Sequence, residues 1–153
     1  MNANEQLIDG FYRSFQKLDA DGMAACYAED ATFSDPVFPM LRGKDVTRMW
    51  HMLCTRAKSF ELTFRDVRAT DTEGSAHWEA TYLFSATGRT VHNVIEAKFQ
   101  LSDGKIVRHQ DTFDLWQWCG MALGPAGKLL GWFPPFQGTL KKRAAAGLAA
   151  YEP

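Results

Sequence analysis

His109 and Asp111 stand two residues apart in Ile106-Val107-Arg108-His109-Gln110-Asp111-Thr112-Phe113, where apolar and polar side chains alternate. Alternation with period two places both on one face of a strand, beside Val107 and Phe113. A carboxylate in an apolar shell costs several kcal/mol unless it is paired or neutralised, and His109 is a partner within reach. Such a pair tunes either group toward the neutral range that general acid–base chemistry needs. A second use is open to Asp111, bonding backbone at the end of the sheet. His109 alone reads equally as a satisfied core histidine.

Five further polar positions bear on chemistry. Asn93 is the one polar residue on the inward face of Val91–Leu101, suited to orienting a substrate oxygen. Asp35 precedes Pro36 and reads either as a turn-forming Asp-Pro or as a carboxylate at a pocket mouth. Glu96, His77 and His92 fall on the outward face by alternation, where His77 and His92 are within reach of each other across neighbouring strands. No HxH or HxxxH spacing marks a metal site, and no glycine-rich phosphate loop marks a nucleotide. No cofactor or metal is therefore expected.

The elements that must position these residues follow from periodicity. Residues 4–18 predict a helix with Leu7, Phe11, Phe15 and Leu18 as its stripe. Met23 to Ala28 predicts a short second helix, Thr32 to Asp35 a short strand stopped by Pro36 and Pro39, and Gly43 to about Lys58 a third helix. Four longer strands follow, Phe60–Arg68, Ser75–Ser85, Val91–Leu101 and Ile106–Phe113, separated by polar turns. The last three predict an antiparallel meander. The order is α+β, with the helices packed on one face of the sheet.

Beyond residue 113 the pattern changes. Asp114–Leu123 predicts a helix, Gly124-Pro125 breaks it, and Leu140–Tyr151 predicts an alanine-rich final helix. Between them Trp132, Phe133 and Phe136 form a strongly apolar run, expected to cover sheet and helix surface, with a lid or a dimer contact as the other uses. Lys141-Lys142-Arg143 is expected on a solvated helix face, not on a membrane.

Composition bounds the function classes. The chain has 153 residues, 46% hydrophobic and 13% aromatic, a single-domain length with large side chains enough to line a hollow. The formal net charge of −1 gives no global case for nucleic acid. Three scattered cysteines, a polar N-terminus and no apolar run of ~20 residues predict a reduced, cytoplasmic setting with no membrane partner.

Two stretches carry a family resemblance. Tyr27-Ala28-Glu29-Asp30-Ala31-Thr32-Phe33-Ser34-Asp35-Pro36, followed by Leu41-Arg42-Gly43-Lys44-Asp45, resembles the opening of SnoaL-like proteins in the nuclear transport factor 2-like superfamily. Phe99-Gln100-Leu101-Ser102-Asp103-Gly104-Lys105-Ile106, running on to Asp111-Thr112-Phe113-Asp114-Leu115, looks much like the end of the limonene-1,2-epoxide hydrolase domain. The resemblance covers roughly residues 5–118. It implies a SnoaL-like domain over 1–118, with 119–153 as a helical extension packed on it. It also implies a cone-shaped, strongly curved, mixed or antiparallel sheet with helices on its concave face, a deep pocket and a homodimer.

Asp35 matches the proton-shuttling aspartate of ketosteroid isomerases, while Phe11 and Ala97 stand where that enzyme builds its oxyanion hole. Asp111 matches one member of the epoxide hydrolase's Asp-Arg-Asp set, with Trp78 and Ala80 at the other two positions and Phe33 and Asp35 at its water-holding positions. Neither set is complete in this chain. Polyketide cyclases ask chiefly for one acid–base aspartate, at Asp111.

Three functions follow. The first is a cofactor-independent acid–base enzyme on a small hydrophobic molecule. Asp111 moves the proton, His109 and Asp35 support it, Asn93 orients the ligand, and Trp78, Tyr82, Phe33, Phe113, Phe11 and Ile95 give shape. The second is a noncatalytic binder using the same pocket. The third is a protein-interaction domain with the tail as its contact surface.

Overall fold

Asn2 begins the first helix with a reciprocal cap. Its Oδ1 accepts from the Glu5 amide at 2.8 Å, and Glu5 Oε1 accepts from the Asn2 amide at 3.0 Å, so two otherwise unpaired amides at the helix start are satisfied. The computed structural model describes residues 1–152. Helix α1 (Ala3–Gln16) buries Ile8, Phe11, Tyr12 and Phe15. The buried stripe is rotated by about one residue from the expected one, so Tyr12 is sealed in the core. Each such fully buried large side chain stabilises the fold by roughly 2 kcal/mol.

Helix α2 covers Ala20–Ala24, capped by Asp19, whose Oδ1 accepts from the Gly22 amide at 3.0 Å. The expected helix over Met23–Ala28 is corrected: strand β1 (Tyr27–Ser34) already begins at Tyr27. Tyr27 pairs with Ile106, and the register slips between Tyr27 and Thr32. Exposed Glu29 and Asp30 sit in that slip and hide the strand in the sequence. After β2 (Leu41–Arg42), helix α3 (Lys44–Arg56) buries Val46, Met49, Trp50, Met52 and Cys54.

Strands β3 (Glu61–Ala69), β4 (Glu73–Phe84), β5 (Arg89–Ser102) and β6 (Lys105–Thr112) pair antiparallel in sequence order. The sheet order is β2-β1-β6-β5-β4-β3, and β1 runs parallel to β6. Along β5 every second residue from Val91 to Leu101 is buried, the alternation its sequence dictates. One face of the sheet carries the core with α1 and α3 against it. The architecture is the expected α+β one, a curled six-stranded mixed sheet with helices.

The tail forms α4 (Leu115–Leu123), α5 (Pro125–Leu130) and α6 (Pro134–Ala150). Asp114 caps α4, accepting from the Gln117 amide at 3.1 Å. Helix α4 lies beside β5, and α6 crosses to α3, where Arg48 Nη2 donates to the Leu148 and Tyr151 carbonyls at 3.0 and 2.6 Å. The expectation that the tail's aromatic run covers the sheet is corrected. Trp132 and Phe133 stand in solvent and Phe136 is half-buried.

Candidate functional site

The parallel pairing of β1 with β6 brings distant residues to one place. Phe33 is level with His109 and Ser34 with Gln110, so Asp35, next after β1, arrives beside the end of β6 that carries Asp111. Both carboxylates line a cavity of about 410 Å³ between the sheet, α3 and α4. Trp78, Ala80, Tyr82, Asn93, Ile95, Phe33, Phe113, Trp50 and Trp118 share its wall. The small side chain of Ala80 faces Asn93 across the ladder, on the cavity wall. It leaves space that a larger side chain would fill.

Asp111 is 4% exposed and His109 is fully buried. His109 Nε2 lies 2.8 Å from Asp111 Oδ1, which Trp78 Nε1 also approaches at 3.4 Å. Behind them His109 Nδ1 is 2.7 Å from Tyr27 Oη, which accepts from Trp50 Nε1 at 2.9 Å. Only one proton arrangement satisfies every member. Trp50 donates to Tyr27, Tyr27 donates to Nδ1, and His109 carries its proton on Nε2 and donates to Asp111. Burial, and then the charge of Asp111, hold the Tyr27 phenol well above its ordinary pKa, which keeps it an O–H donor. Asp111 Oδ2 has no protein partner among the described residues.

Asp35 combines both of its sequence readings. Its Oδ1 accepts from the Val37 and Phe38 amides at 2.7 and 2.6 Å, a turn made by the side chain. Its carboxyl also borders the cavity. Burial raises its pKa to about 6, against the lowering effect of those two amides, and the charge of Asp111 adds to the rise. Tyr82 Oη accepts from Trp118 Nε1 at 2.9 Å, leaving its own proton to point elsewhere. Tyr12 Oη is the one sealed side-chain polar atom without a partner among the described residues. The unpaired Asn93 amide therefore opens onto the cavity rather than onto dry protein.

Of the residues singled out in the sequence, Asp111, Asp35, Asn93, Trp78, Tyr82, Phe33, Phe113 and Ile95 meet at this cavity. Two do not reach its wall. Phe11 lies in the core, edge-on to Tyr12, Tyr27 and Trp50. His109 sits behind Asp111, among Phe33, Phe99 and Trp50. The sequence reading missed Tyr27, Trp50 and Trp118. Trp50 falls within the helix predicted from Gly43 to about Lys58 and Tyr27 within the one predicted from Met23 to Ala28, so neither reads as a site residue from sequence.

On the opposite face of the sheet, Glu79 bridges His77 Nε2 at 2.8 Å and His92 Nε2 at 2.9 Å. Glu96 takes His77 Nδ1, and Thr81 Oγ1 lies 2.7 Å from His92 Nδ1. The two outward histidines, on the neighbouring strands β4 and β5, thus meet through the carboxylate of Glu79 on β4.

Residues 8–109 match the model of the SnoaL-like domain. No curated protein matches the sequence. Among solved structures, an epoxide hydrolase from M. tuberculosis, described as LEH-like, superposes with a TM-score of 0.67 at 18% identity, covering 84% of this chain and 96% of that one. A putative polyketide cyclase from Xanthomonas campestris pv. campestris gives 0.65 at 22% identity, over 78% and 96%. A hypothetical protein from Catenulispora acidiphila with a ketosteroid isomerase-like fold, complexed with trimethylamine, gives 0.68 at 10% identity, over 78% and 94%. Identities this low speak for the fold and not for a reaction. With two-thirds of its length matched and the curled sheet in common, the chain belongs to the SnoaL-like domain family, on the fold of ketosteroid isomerase-like and nuclear transport factor 2-like structures.

Proposed function

We propose that the protein is a cofactor-independent acid–base enzyme acting on a small hydrophobic molecule that carries a carbonyl group. The reading rests on one observation: two carboxylates, Asp111 and Asp35, border one apolar, aromatic-walled cavity, and only one oxygen of each is taken by the protein. Two like charges sharing such a space resist simultaneous ionisation, which separates their roles.

Asp111 is the base. His109 and Trp78 hold its Oδ1, which leaves Oδ2 to take a proton from carbon next to the carbonyl. The electron pair of that C–H bond passes into an enolate. Asp35, with a pKa near 6, gives a proton to the oxygen or to a second carbon and recovers one from Asp111 or solvent, so the enzyme is unchanged over a cycle. Asn93 donates its amide to the developing oxyanion. His109 is a positioning residue: it fixes the rotamer of Asp111 and touches no ligand. Isomerisation and ring closure both begin with this proton transfer.

The test is hydrogen–deuterium exchange at the α-carbon of hydrophobic cyclic ketones in D2O, followed by NMR. Ketones are first selected by quenching of the cavity tryptophans. The expected result is protein-catalysed exchange that falls at least about 100-fold in Asp111→Asn. Binding with no exchange, or exchange undiminished in Asp111→Asn, would overturn the enzymatic reading. Binding alone would leave a carrier of hydrophobic molecules in its place.

A further inference from the structure

From Leu115 to Tyr151 the chain contains no acidic residue; all 18 Asp and Glu lie elsewhere. Its charges are Lys128, Lys141, Lys142 and Arg143. In this stretch the corner between α5 and α6 leaves large apolar side chains in water. Leu129 is 72% and Trp132 64% exposed, with Leu130, Phe133 and Trp116 each above 40%. Single exposed apolar residues are ordinary on a protein surface, but five in one corner form a patch that calls for a partner.

The corner is built, not frayed. Gln137 Nε2 donates to the Gly131 carbonyl at 2.7 Å. Gly127 and Gly131 pack so closely on Cys119 that neither position has room for a Cβ. Trp116 Nε1 donates to the Lys128 carbonyl at 3.0 Å, tying the exposed indole to α5. Trp132 and Phe133 meet edge to face, ring centres 5.8 Å apart.

We propose that this corner docks peripherally on an anionic lipid bilayer. Leu129, Trp132 and Phe133 enter the headgroup boundary, where tryptophan and phenylalanine are favoured, and the basic side chains meet the lipid charge. Charge selects this occupant. Two copies meeting patch to patch would bring the like-charged stretches together, whereas an anionic leaflet complements them. The contact is peripheral, because no helix among the described residues is long and apolar enough to cross a membrane. Helix α4 joins the patch to the cavity, with Trp116 on the surface and Trp118 on the cavity wall. A docked protein thus holds an apolar cavity beside a reservoir of apolar molecules. Docking stands or falls independently of catalysis. It also departs from the sequence reading, which gave the chain no membrane partner and assumed that these rings were covered.

The experiment is cosedimentation of the full chain with phosphatidylcholine vesicles, with and without a quarter of phosphatidylglycerol. Binding is expected to the mixed vesicles, at least about tenfold weaker to the neutral ones, and reduced by salt, since each cation near an anionic leaflet is worth roughly fivefold. The double variant Leu129→Ala/Trp132→Ala and the triple variant Lys141→Gln/Lys142→Gln/Arg143→Gln should each lose about tenfold or more, with circular dichroism and elution volume unchanged. No partitioning onto either vesicle would overturn the proposal. So would variants that bind vesicles as the wild type does while a dimer falls apart on a sizing column, which would assign the patch to a second copy.

Discussion

Phe33 of β1 lies in parallel register with His109 of β6, and two residues further along each chain comes an aspartate. The pairing of these two strands, some 75 residues apart in sequence, is what turns Asp35 and Asp111 into neighbours on one cavity.

Asp35 should make stability fall as pH rises. Its pKa in the fold, about 6, lies above its ordinary value of 3.8 because burial disfavours the ion. The folded state therefore binds the proton more tightly than the unfolded chain. The resulting stabilisation is complete below pH 4 and is lost as pH rises through 6, by an amount on the order of 3 kcal/mol. Asp35→Asn retains an oxygen for the Val37 and Phe38 amides and removes the titration. Urea midpoints measured from pH 4 to 7.5 should show the slope in the wild type and a flatter profile in the variant.

The chain Trp50–Tyr27–His109–Asp111 should behave as a unit. His109→Leu strands the Tyr27 hydroxyl and deprives Asp111 of its donor, at a cost of about 3–5 kcal/mol. Tyr27→Phe removes one donor and one acceptor and should cost about 1–3 kcal/mol. Because the two share a hydrogen bond, the double variant should lose at least 0.5 kcal/mol less than the sum. Additive losses in urea unfolding would mean the bond carries no coupling.

How far the sequence led depended on the range of the interactions. Strands β4, β5 and β6 are joined by local turns, and alternation alone put Trp78, Asn93 and Asp111 on the inner face. Strand β1 has only the two-residue β2 as a local partner: Glu29 and Asp30 break its alternation, and its main ladder is the parallel one with β6, far away in sequence. Tyr27 was lost with it. Phe11 illustrates the converse limit. Periodicity shows that a residue is buried, but not whether it faces other side chains or a hollow. The exposed Trp132 and Phe133 mark a third, since hydrophobicity states a need for cover without saying whether this chain supplies it.

The outer cluster of His77, Glu79, His92 and Glu96 predicts a pH window of its own. The hydrogen bonds His77 donates to Glu79 and then to Glu96 raise its pKa, and those Glu79 accepts from His77 and His92 lower its own. The stabilisation due to His77 is present below its ordinary value near 6.5 and lost as pH rises through the raised one. That of Glu79 is present above 4.5 and lost as pH falls. Between pH 5 and 6.5 both operate. Glu79→Gln should therefore destabilise the protein most in that window and least near pH 9, read as the difference in thermal midpoint from the wild type. A difference independent of pH would place the role of Glu79 in packing alone.

Gly127 offers a test of how the tail is held. A Cβ there would collide with the backbone carbonyl of Cys119 in α4, and with Leu123 Cβ at 3.0 Å. Backbone cannot rotate aside as a flexible side chain can, so Gly127→Ala must push α5 off α4, an overpacking cost of about 1–3 kcal/mol. Gly138, in α6, has nothing within 4 Å of its would-be Cβ. Gly138→Ala should raise stability by about 0.5–1 kcal/mol through helix propensity and the stiffer unfolded chain. The two alanine variants thus separate close packing from backbone freedom. Urea unfolding should move them in opposite directions, and equal shifts would mean that α5 does not seat on α4 through Gly127.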